Sequence, residues 1–288
     1  MNEFKSFFKS VGGNEGVKCH YSHRLDTYGC GCSHGCSYCY AKSLLEFRNL
    51  WRPEDPSVAD IEKVRRKIAS IKKNGKINIV RLGGMTDCFQ PIEKTYRVTY
   101  ETIKALNEAR ISYLIVTKSS LIASDEYLDI LDKDLAHVQI TLTTTSDSLY
   151  KEKQYEKASL PSERIRAIEK LYKNGIDVAV RLSPYIPEYI DINVLGAIEC
   201  DKIQVEFLRV NSWIRKWFDI DYSDYTVKQS NYSHLPLLKK IELVNGIKAC
   251  APDKQISVCD DESEAYEYWK QCFNPNKDDC CNLRRAGT

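Results

Sequence analysis

"CGCSHGCSYCY", residues 30–40, sets four cysteines, Cys30, Cys32, Cys36 and Cys39, among glycines, serines and two tyrosines. So many thiols in one short loop fit a zinc site, a redox pair, a disulfide staple or an iron–sulfur cluster. A structural zinc site commonly takes two close pairs well separated along the chain, and no second pair follows at that distance. A redox pair would use Cys36-x-x-Cys39 alone and leave Cys32 without a role. The spacing that employs three thiols is Cys32-x3-Cys36-x2-Cys39. Three thiolates can hold three corners of a cubane cluster and leave the fourth iron open, and soft sulfur ligands suit that chemistry. Gly35 would let the backbone come close to the cluster.

A disulfide framework fits the rest of the chain poorly. The 288 residues are 43% hydrophobic and 28% charged, enough to bury a core without covalent staples. The N-terminal "MNEFKSFFKSVGGNEGVK" lacks the apolar centre of a signal peptide, and no stretch has the length of a spanning helix. A cytoplasmic protein with no membrane partner is expected. There, twelve cysteines stay reduced and serve metal or redox chemistry. The net charge of +2 neither points to nor excludes a nucleic-acid partner.

Outward from the loop the chain alternates. Short runs rich in β-branched residues recur at 76–84, 111–119, 137–145, 176–184 and 202–210. Helical patterns fill the gaps. In "SVADIEKVRRKIASIKKNG", Val58, Ile61, Val64, Ile68 and Ile71 share one face, and Gly75 ends the pattern. Ser162 reads as the cap of a later helix. This alternation predicts an α/β fold: a parallel sheet covered by helices and curled by right-handed crossovers into a partial (β/α)6 TIM-type barrel. The expected organisation is an N-terminal arm (1–20), the barrel (21–210), and a C-terminal α/irregular extension (211–288) carrying cysteines and packed on the barrel. The loop then lies at the C-terminal end of the first strand, before a helix starting near Ala41, on the face where barrel enzymes place their chemistry.

At Cys32, Cys36 and Cys39, with Tyr38 before the last, the chain resembles the radical S-adenosylmethionine (SAM) superfamily. The resemblance implies a [4Fe–4S] cluster on these three cysteines, with SAM held by its open iron. It implies reductive cleavage of SAM to a 5′-deoxyadenosyl radical, and an external one-electron reductant of the flavodoxin or ferredoxin type. "CSHGCSYCY", "TDCFQPIE" (86–93), "VTKSS" (116–120) and "RLSPYIP" (181–187) are similar to the spore photoproduct lyase-like, or DNA-repair-photolyase-type, branch. That likeness implies lyase-like repair or modification of a nucleic-acid base. It also implies a thiol, Cys88, that returns a hydrogen atom to a product radical, with Tyr40 as relay. Gly83-Gly84 resembles the glycine pair that lies along the methionyl part of SAM. Thr117, Lys118, Thr143, Arg181 and Ser183 end successive strands and are candidates for binding the cofactor. Glu206 is a candidate for holding the ribose or for pairing with Arg181 or Arg209.

Three questions stay open in the sequence. Cys259, Cys272, Cys280 and Cys281 are candidates for an auxiliary iron–sulfur cluster. The five histidines form no ligand spacing, and His34 reads as a loop filler. The alternative functions are a radical SAM enzyme acting on a peptide or small metabolite, and a non-catalytic zinc protein that binds nucleic acid.

Overall fold

The structure, a computed structural model, describes residues 8–10, 18, 19, 21, 23–77, 79–154 and 157–283. Most of the expected N-terminal arm lies outside the described residues. The strands are β1 (Phe8–Ser10), β2 (His23–Leu25), β3 (Tyr28–Gly29), β4 (Ser57–Val58), β5 (Ile79–Leu82), β6 (Ser112–Thr117), β7 (Ala136–Thr141), β8 (Asp177–Tyr185), β9 (Lys202–Phe207), β10 (Val227–Gln229), β11 (Tyr232–His234) and β12 (Gln255–Val258). One sheet runs β1-β2-β5-β6-β7-β8-β9-β12. From β2 onward every neighbouring pair is parallel, and β1 joins its edge antiparallel. Among the described residues the sheet does not close.

This is the expected α/β partial barrel, with one strand more than expected. The seventh parallel strand, β12, comes from the segment read as an extension and pairs with β9 from Gln255↔Lys202 to Val258↔Val205. The strands are apolar runs because both faces are covered; β7 is buried along its whole length. Helices Ile61–Asn74, Val98–Ala109 and Pro161–Lys173 cover the outer face with Val64, Ile68, Ile71, Ile103, Leu106, Ile168 and Leu171. The inner face carries polar side chains as well. Arg181 of β8 donates to Gln139 of β7 and to Gln204 of β9.

Two helix starts differ from the sequence reading. Val58 belongs to β4, paired with β3, and the helix begins only at Ile61. Asp60 caps it, accepting from Glu62 N and Lys63 N, and Gly75 (φ 61°) ends it. The later helix begins at Pro161, whose ring presets a first-turn backbone and whose missing N–H costs nothing there. Glu163 accepts from the backbone N–H of Leu160 at 2.7 Å, while the Ser162 hydroxyl donates to Asp147.

Candidate active site

The C-terminal ends of β2, β5, β6, β8, β9 and β12 surround one cavity, and the cysteine loop forms part of its wall. Cys32, Cys36 and Cys39 all open onto it. Two consecutive turns shape the loop: Gly35 N donates to Cys32 O at 3.4 Å and Cys39 N to Cys36 O at 3.3 Å. Gly35 sits at φ 71°, a left-handed backbone that a side chain would strain. Cys39 caps helix Tyr40–Phe47, its sulfur accepting from Lys42 N at 3.4 Å. A helix N-terminus favours the thiolate, but burial pushes the Cys39 thiol up to about 11 against the Lys42 N–H. Cys30, at φ 58°, is fully buried and does not line the cavity.

The spacing of the sulfurs bears on what they hold. Tetrahedral zinc with bonds of ~2.3 Å needs sulfurs ~3.8 Å apart. Among the described residues, no three of the cysteine sulfurs lie within 4.8 Å of one another. That spread is too wide for one tetrahedral ion held by the three thiols.

Asp26, just past β2, supports the opposite wall, the turn formed by Gly83, Gly84 and Met85, from behind. Its Oδ1 accepts from Gly84 N at 2.7 Å and Met85 N at 3.0 Å, which fixes the turn after β5. Gly83 has φ 80°, and a Cβ there would lie 3.0 Å from Val116 O and 3.3 Å from Thr86 O. The turn requires glycine at that position. The Tyr40 hydroxyl donates to Gly84 O at 2.5 Å, so Tyr40 braces the same turn.

Asp87 links the loop to β6. It accepts from Thr117 Oγ1 and from Lys118 N, each at 2.7 Å, and from Phe89 N at 2.8 Å. His34 Nδ1 lies 3.4 Å from Asp87 Oδ2, an ion-pair contact when the ring is protonated. Burial opposes that charge, but Cys32 and Asp87 outweigh it and raise His34 to about 10. Burial alone would raise Asp87; His34 and the backbone donors hold it below the usual range. His34 is therefore no loop filler, and Asp87 was not among the candidates drawn from the sequence. Lys118 Nζ donates to the Tyr38 hydroxyl at 2.6 Å, and that hydroxyl lies 3.3 Å from Thr143 Oγ1. Thr143 stands one layer back, behind Tyr38.

Across the cavity, Glu206 accepts from Arg181 and, at 2.8 Å, from Ser183 Oγ. Burial would raise the Glu206 carboxyl, but Arg181 and then Arg209 bring it down to about 2. Of the two arginines left open by the sequence, Arg181 takes the direct contact and Arg209 reaches Asp261 at 2.5 Å.

Two expectations need correction. Cys88 does not reach the cavity. In the turn after β5, Asp87 lines the cavity, while Cys88 is 0% exposed within the apolar core. That thiol stands apart from the cavity that Tyr40 lines. Cys272 is exposed and does not join the other tail cysteines; Cys19 stands with them instead. Separately, His234, Asp260 and Asp261 converge, but Lys240 at 2.7 Å and Arg209 at 2.5 Å already neutralise the two carboxylates.

A partial parallel barrel with a three-cysteine loop at its rim defines a class of cluster-dependent barrel enzymes. The family model of the radical SAM superfamily matches residues 27–199, and the chain belongs to that superfamily. The family implies SAM and a [4Fe–4S] cluster as cofactors. An uncharacterized protein of Methanocaldococcus jannaschii is 29% identical over 167 residues, 57% of this chain and 61% of that protein. An uncharacterized protein of Mycobacterium tuberculosis is 23% identical over 204 residues, 65% of this chain and 59% of that one. The match thus spans about three fifths of these relatives' length. In fold the chain is similar to spore photoproduct lyase complexed with dinucleoside spore photoproduct, with a TM-score of 0.66 at 11% identity, covering 89% of this chain and 81% of that one. It is also similar to Streptococcus suis SuiB bound to its precursor peptide SuiA, with a TM-score of 0.59 at 16% identity, covering 85% and 50%. Among the described residues no helix is long and apolar enough to cross a membrane.

Proposed function

We infer that the chain cleaves SAM reductively and uses the resulting radical on a nucleic-acid base held in the barrel cavity. The observation that carries the first part is the opening of Cys32, Cys36 and Cys39 onto the same cavity as the Gly83-Gly84 turn, Arg181 and Glu206. These three cysteines would hold the cluster, which when bound supplies the electron that breaks the C5′–S bond of SAM. The chain's own residues do the rest. The Gly83-Gly84 turn, fixed by Asp26 and Tyr40, offers backbone for the methionyl part. Glu206, ionised at any physiological pH, is an acceptor for ribose hydroxyls, and Arg181 keeps it charged and in place. Lys118 and Tyr38 close the side next to the loop.

The substrate reading rests on charge that the linear sequence does not display. Lys18, Arg24, Arg81, Lys270 and Lys277 line the cavity beyond the basic groups already paired with its four carboxylates, Asp87, Glu206, Asp260 and Asp261, and a phosphodiester backbone is the polyanion such a lining suits. The spore photoproduct lyase in the comparison carries a dinucleoside. A base in a duplex would have to be flipped out to enter.

The test is binding and stimulation together. Single-stranded oligonucleotides should bind less tightly as salt rises and should accelerate SAM turnover. A peptide-modifying enzyme, the reading that the SuiB likeness favours, would show salt-insensitive oligonucleotide binding and stimulation by peptides alone. That result would end the nucleic-acid reading.

A further inference from the structure

Cys19, Cys259, Cys280 and Cys281 come from three segments far apart in sequence and meet on the inner face of the barrel. The Cys280 thiol is within hydrogen-bonding reach of both Cys259 and Cys281. Cys19 is close enough to Cys259 and Cys281 for their charges to act on it. Cys19 and Cys280 pack against the same small patch as Cys281, beside Leu114 and Leu283. Cys19, Cys259 and Cys280 open onto the cavity that the loop cysteines share. All twelve cysteines of the chain are unbridged.

The surroundings hold these thiols in place. Asp279 is 1% exposed. It accepts from the Tyr21 hydroxyl at 2.6 Å, from Cys281 N at 2.9 Å and from Leu283 N at 3.0 Å. Gln204 Nε2 donates to Cys280 O at 2.9 Å and lies 3.4 Å from Cys281 Sγ. Lys202 Nζ donates to Asn282 O at 2.6 Å. Cys259 N continues the ladder of β12 by donating to Val205 O at 2.8 Å. A tail carrying two adjacent thiols is thus drawn into the barrel and fastened there by buried side chains.

We propose that Cys19, Cys259, Cys280 and Cys281 bind a second iron–sulfur cluster inside the barrel. A tetrahedral zinc would draw every pair of its sulfurs to ~3.8 Å, whereas no three of these sulfurs all lie within 4.8 Å of one another. A cluster presents several irons, so adjacent Cys280 and Cys281 need not converge on one metal. Four thiolates are the usual complement of such a cluster. This site differs from a tail-only set: it takes Cys19 from before β2 and leaves Cys272 out.

The experiment counts iron and acid-labile sulfide after anaerobic reconstitution, in the wild type, in the Cys32→Ala/Cys36→Ala/Cys39→Ala variant and in the Cys19→Ala/Cys259→Ala variant. The wild type should hold more than four irons per chain, about eight if the second cluster is a cubane. The loop variant should keep the second set, and the Cys19/Cys259 variant should lose that set alone. Electron paramagnetic resonance of the reduced wild type gives a check that needs no variant: two cluster signals, of which SAM perturbs one. Four irons with a single signal in the wild type, or stoichiometric zinc without sulfide in the loop variant, would overturn the proposal. Iron retained by the loop variant supports the second site whether or not the loop binds its own cluster, so the two readings fail separately.

Discussion

The chain has two thiol-rich regions, and they are built in opposite ways. In the loop, Cys32, Cys36 and Cys39 lie within one turn-rich segment, and local backbone geometry brings them to the cavity. In the tail, Cys259 and Cys280 reach the same cavity, with Cys281 buried beside them, only because β12 joins the sheet and Asp279 fastens the last residues to Tyr21. A local site can be read from spacing. A site assembled by the fold cannot, and its fourth member, Cys19, lies 240 positions from Cys259.

The largest expected effect falls on the loop. Cys36→Ala should lose the loop's iron and reduce SAM cleavage to background, with the circular dichroism spectrum unchanged, because the barrel does not depend on that thiol. Retained cleavage would remove the loop from the chemistry and erase the contrast with the tail.

Next is Gly83→Ala. A side chain at φ 80°, 3.0 Å from Val116 O, should cost roughly 1–3 kcal/mol, seen as an earlier urea midpoint. The displaced turn should also weaken SAM binding in calorimetry. Unchanged stability and affinity would show that the turn is not held as described.

The Glu206 carboxyl yields a pH prediction. Its folded value, about 2, lies below the ordinary 4.5. Its contribution to stability is therefore complete above pH 4.5 and is lost as pH falls from there toward 2. Thermal melts should show the wild type losing more stability than Glu206→Gln across that interval; parallel losses would break the Arg181 pairing.

Two variants should do little, and they sharpen the contrast. Cys88→Ala should leave product distribution unchanged and cost about 1 kcal/mol from a small core void. Altered products would restore the hydrogen-return role that its burial denies. Cys272→Ser should leave iron content unchanged, because that thiol is exposed and stands apart from the rest.

Much of the fold was legible because period and composition are local properties. The five β-rich runs all became strands, and the cysteine spacing singled out the three loop thiols that open onto the cavity. The misses share a cause. Val58 followed the helical period, but pairing with Tyr28 across the chain claimed it for a strand. Asp26, His34 and Asp87 gave no local signal. Asp26 acts on a turn 58 positions away, and His34 matters because the fold sets Asp87 beside it. "TDCFQ" was noticed, yet attention went to its thiol; only the turn after β5, where Asp87 accepts from Thr117 and Lys118, sets the aspartate toward the cavity.

The measurement that tests the account most directly is 5′-deoxyadenosine formed from SAM by the anaerobically reconstituted, reduced wild-type protein. A brown protein that produces it, beside a Cys36→Ala variant that does not, is the predicted result. A colourless, zinc-loaded protein, or a reconstituted one that leaves SAM intact under reductant, would contradict it.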